Sequence, residues 1–114
     1  MNFDYAAKIS GLNHGARLRF YEELAHDLTI SARAVWSNDG ISDAERVHRL
    51  KCLNEIQHRV TAKIVSTRLT PEKWPENEFV NVFEHWIRVC PEIGGDADCA
   101  IQSSYKVALS HQQE

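Results

Sequence analysis

The stretch from Ile41 to Leu69 constrains this chain most, because it contains no glycine or proline and keeps a helical period throughout. Leu50, Leu53, Ile56, Val60 and Ile64 recur at spacings of three and four, which places them on one stripe of a helix. Ser42 followed by Glu45 is a capping box, each side chain positioned to bond the other's orphan backbone N–H. The rest of the chain is expected to be organised around this helix.

Upstream, a first long helix is predicted from Asn13 or His14 to Ser37, with Asn13 as its N-cap. Leu18, Tyr21, Ala25, Leu28, Ala32 and Val35 step by three and four, and Leu24 and Trp36 widen the stripe. Asn38-Asp39-Gly40 ends it in a short turn, which makes the two long helices antiparallel neighbours. Residues 1–13 read as a short helical arm carrying Phe3, Tyr5, Ala6 and Ile9, ended by Ser10-Gly11 and expected to dock.

Downstream, Pro71 and Pro75 bracket a linker whose Trp74 is expected to plug the bundle end. A third helix is predicted over roughly Pro75 to Cys90, with the aromatic stripe Phe79, Val82, Phe83, Trp86 and Cys90. Pro91 and Gly94-Gly95 make a turn, and Asp96 is predicted to cap a fourth helix through about Ser110, with Ile101, Tyr105 and Ala108 facing inward. No segment alternates apolar and polar residues over strand length. The pattern predicts an all-α fold: a single domain over residues 1–114, built as an up-down antiparallel four-helix bundle.

The chain has 114 residues, 43% hydrophobic and 25% charged, ordinary values for a folded domain. No apolar run approaches the ~20 residues needed to cross a bilayer. The first twelve residues lack a charged segment followed by an apolar one, so no secretory signal is read. Cys52, Cys90 and Cys99 are odd in number and widely spaced, which favours free thiols and a cytoplasmic location. The net charge of -3 divides unevenly: residues 41–69 carry six basic and three acidic groups, residues 70–114 three basic and eight acidic. That polarity suits a charge-complementary contact, and an acidic chain disfavours nucleic acid as a partner.

Two E-x-x-H matches, Glu23 with His26 and Glu55 with His58, carry the ligand types of di-iron carboxylate bundles. At ~100° per residue, with Leu53 at zero, Glu55 falls near ~200° and His58 near ~140°, away from a stripe centred near ~15°. The same arithmetic from Tyr21 turns Glu23 and His26 outward. No metal site is therefore expected inside the bundle, and these four residues would meet a metal only between the outer faces of two subunits. His48, Lys51, Arg59 and Lys63 form a basic ridge on the outer side of the long helix, a candidate partner-binding surface. Cys90 and Cys99 flank the turn between the last two helices and read as two buried thiols rather than a redox pair. Gln57 lies inside the apolar sector, where a polar residue fixes register. With Phe79, Phe83 and Trp86 it would line a pocket between helices.

No catalytic residue set, nucleotide-binding loop or cofactor motif is present, so no cofactor is expected and an enzyme is the less favoured reading. The leading expectation is a small non-enzymatic helical protein acting through a protein partner or self-association, as a homodimer. The alternative is a ligand- or metal-binding bundle with a pocket between helices. A lesser alternative is nucleic-acid binding through the basic ridge.

Overall fold

The structure is a computed structural model that describes residues 5–69, 81, 84–85 and 88–112. Among these, all regular structure is helical: α1 (Tyr5–Ser10), α2 (His14–Trp36), α3 (Asp43–Leu69) and α4 (Gly94–Gln112), the last preceded by a 3-10 turn over Pro91–Ile93. The fold is an all-α bundle in which the long helices pack together. None of these helices is long and apolar enough to cross a membrane.

The starts of α2 and α3 follow from their capping residues. The Asn13 side chain accepts a hydrogen bond from the Ala16 N–H at 2.9 Å, and the Ser42 hydroxyl accepts one from the Glu45 N–H at 3.1 Å. The reciprocal half of the predicted box is spent differently, since the Glu45 carboxylate takes Arg49 at 2.9 Å. Asp96 does not cap α4, which already begins at Gly94 out of the 3-10 turn.

Helix directions follow from which residues meet. Across α2 and α3, Tyr21 meets Lys63 while Ala25 and Thr29, further along α2, meet the earlier Gln57. Across α2 and α4, Asn13 meets Gln112 and Asp27 meets Ser104. Both neighbours therefore run antiparallel to α2. The chain leaves α3 at Leu69 and by Cys90 is back beside Cys52, with Asn81, Glu84, His85, Arg88 and Val89 helical on the way. The expected start of that helix, its stripe residues Phe79, Val82, Phe83 and Trp86, the Trp74 plug and Phe3 of the arm lie outside the described residues.

Among the described residues α2 packs against α1, α3 and α4. It presents two faces. Ala16, Phe20, Leu24 and Asp27 form a row toward α4, which explains why Phe20 is fully buried although it lies off the predicted stripe. Ala25, Thr29 and Ala32 line the α3 side as half-buried small residues. Trp36 continues that row at the helix end and is 70% exposed, contrary to its predicted place in the core. A large ring protrudes where small side chains had filled the edge of the seam.

The arm docks as expected, through Ile9 and Leu12, both buried. Arg17 closes it by donating to the carbonyl oxygens of Ser10 and Leu12. On α4, Ala100, Ile101, Ser104 and Ala108 are buried, while Tyr105 is half-buried with the Lys8 ammonium 5.7 Å above its ring.

Candidate metal centre

The buried stripe of α3 is rotated from its predicted centre. Cys52, Leu53, Ile56, Val60, Lys63 and Thr67 are buried, whereas Leu50 and Ile64 are only half-buried. Cys52 lies about 40° beyond Ile56, the edge of the predicted stripe, yet it is 1% exposed. The returning chain covers that flank: Cys90, fully buried, and the 3-10 turn after it pack on the first half of α3.

This return builds a site. One ring nitrogen of His48 and the sulfurs of Cys52 and Cys90 all lie within 4.8 Å of one another. His48 and Cys52 are four residues apart on α3, hence one turn apart on the same face. Cys90 arrives from the other side, held by the turn in which its carbonyl accepts the Ile93 N–H at 3.2 Å. Glu92, in that turn, accepts a hydrogen bond from the Cys90 thiol at 3.4 Å. Zinc bonds of 2.0–2.3 Å to nitrogen and sulfur imply tetrahedral donor separations of roughly 3.5–3.8 Å, so small side-chain movements would bring these atoms onto one ion.

The surroundings keep both thiols protonated when no ion is bound. Burial pushes the Cys52 thiol up. Burial first, then the hydrogen bond to Glu92 and the neighbouring Cys52, push Cys90 up to about 12. Glu92 is held low by its own backbone N–H and by the Cys90 thiol, with Arg49 and His48 adding smaller pulls. Groups that make a thiolate costly because they are negative are the same groups that would hold a positive ion. Without one, neutral buried thiols of this kind are poor nucleophiles.

The other predicted residues fall as follows. His48, Lys51 and Arg59 are exposed on α3, but Lys63 is not part of their ridge. It is 8% exposed and its ammonium sits 5.6 Å over the Tyr21 ring, because the α3 stripe turns that position toward α2. Glu23 pairs with Arg19 at 2.8 Å, His26 and His58 are exposed, and Glu55 is half-buried. Among the described residues these four do not converge on a metal; the converging set is His48, Cys52 and Cys90. Cys99 is exposed, so Cys90 and Cys99 are not the buried pair expected; the neighbour of Cys90 is Cys52. Gln57 bonds across to α2, and its proposed pocket partners Phe79, Phe83 and Trp86 lie outside the described residues.

Two sequence signals point at the centre: the His48-x3-Cys52 spacing and the Cys90-Pro-Glu92 turn. Each is short and common, and only their approach in space joins them. No protein-family model matches the chain, and no curated protein or solved structure is found to be similar to it.

Proposed function

We propose that this protein binds a thiophilic divalent cation through His48, Cys52 and Cys90. The observation that carries this reading is the convergence of two buried sulfurs and a ring nitrogen within 4.8 Å, beside a carboxylate. Sulfur and imidazole donors select zinc-like ions over magnesium or calcium, which prefer oxygen. A reducing, cytoplasmic setting suits it, because it keeps both sulfurs available as ligands.

The test is titration of the reduced protein with Zn2+ against a chromophoric chelator. One ion per chain is expected, with binding lost in Cys52→Ala and Cys90→Ala and retained in Cys99→Ala. Stoichiometric binding that survives both ligand substitutions would sink the assignment, as would no competition with the chelator at all.

A second reading, a homodimer acting as an interaction protein, is favoured by the α2–α3 seam. Ala32, Val47, Leu50, Lys51, Asn54 and Gln57 line a shallow groove of about 510 Å³ there. Val47 is 66% and Trp36 70% exposed. Five of the six lining residues are uncharged, which suits a self-complementary contact about a two-fold axis. Light scattering decides it: a dimer that Val47→Glu dissociates supports the reading, and a monomer at high concentration removes it.

A further inference from the structure

We propose that Glu92 is the fourth ligand, so that His48, Cys52, Cys90 and Glu92 close a tetrahedral zinc site of two sulfurs, one nitrogen and one oxygen. This rests on the metal-binding reading above and adds the ion and its coordination.

The Cys90 sulfur and the Glu92 oxygen are 3.4 Å apart. Bonds of about 2.3 Å to sulfur and 2.0–2.2 Å to oxygen give a tetrahedral edge of roughly 3.5 Å, which this pair matches. Glu92 stands outside the set whose donor atoms all lie within 4.8 Å of one another, so its exposed side chain has to turn inward to reach the ion. Cys90 and Glu92 sit two apart in the turn closed by the Ile93 N–H to Cys90 carbonyl bond, which keeps their backbones close.

Charge is compensated around the site. Two thiolates and a carboxylate exceed the charge of one divalent ion by one, and the Arg49 guanidinium interacts with Glu92 and Cys90 while Lys51 acts on Cys52. Four protein ligands leave no position for water, which makes the centre structural rather than catalytic. It ties the first half of α3 to the turn that launches α4.

The experiment uses the full reduced chain with Co2+ as the spectroscopic probe. The wild type is expected to show the intense visible bands of tetrahedral cobalt with thiolate charge transfer, unmoved by excess azide. Glu92 is exposed, so Glu92→Ala leaves the core intact; it should open a position, make the cobalt spectrum azide-sensitive and weaken zinc at least about tenfold. An azide-sensitive wild type, or a Glu92→Ala protein with unchanged spectrum and affinity, overturns the fourth ligand and leaves the three-ligand site standing. Failure of the wild type to bind cobalt overturns both.

Discussion

The side-chain amide of Gln57 donates to the Thr29 hydroxyl at 2.6 Å and to the Ala25 carbonyl at 3.1 Å, bridging α3 to α2. The Thr29 hydroxyl in turn donates to the same Ala25 carbonyl at 3.0 Å, so three polar groups satisfy one another inside an apolar seam. Register is set here, because sliding either helix by a residue would leave these groups buried without partners. Gln57→Ala is expected to cost about 1–3 kcal/mol. The double variant Gln57→Leu with Thr29→Val should cost less than its two single variants combined. Urea denaturation of the four proteins checks the coupling; strict additivity would mean that the bridge carries none.

The raised Cys90 thiol predicts an alkaline loss of stability in the metal-free protein. Its folded-state value of about 12 lies above the ordinary 9.0, so across that window the folded state holds the proton that the unfolded state releases. Stability from this source is complete below pH 9 and falls as pH rises toward 12. Cys52, shifted the same way, adds to the slope. Cys90→Ser should flatten the decline relative to wild type in denaturation measured from pH 8 to 11, and equal slopes would refute the assignment.

Thiol reactivity should separate the three cysteines. Cys99 is exposed, whereas Cys52 and Cys90 are sealed in the centre and held as neutral thiols. A colorimetric disulfide reagent is expected to modify one thiol per native chain quickly and the other two only on unfolding. Peptide mapping should find the fast label on Cys99; fast labelling of Cys90 would contradict the burial.

The arm contributes to the fold rather than decorating it. Ile9 is fully buried in the common core, so Ile9→Ala is expected to destabilise by about 2–4 kcal/mol. Thermal or urea unfolding measures this directly. A change below about 0.5 kcal/mol would show that the arm detaches without cost.

What the sequence determined by itself was local. Helix starts at Asn13 and Ser42, the turn at Asn38-Asp39-Gly40 and the all-helical class depend on spacing and capping, which act within a few residues. Gln57 was legible too, since a polar residue in an apolar sector must find a partner. The tertiary structure decided what depends on a second element. Phe20 became core because α4 covers a second face of α2. Lys63 is a different case: at about 100° per residue it falls roughly 20° from Ile56, on the flank that packs over Tyr21, so the wheel itself separates it from the basic ridge. The centre is the clearest case. A helical wheel puts Cys52 off the stripe, and no pattern along the chain announces that Cys90, 38 residues later, returns to the same point. Burial and ligand geometry are properties of the pair, and the pair exists only once the bundle has closed.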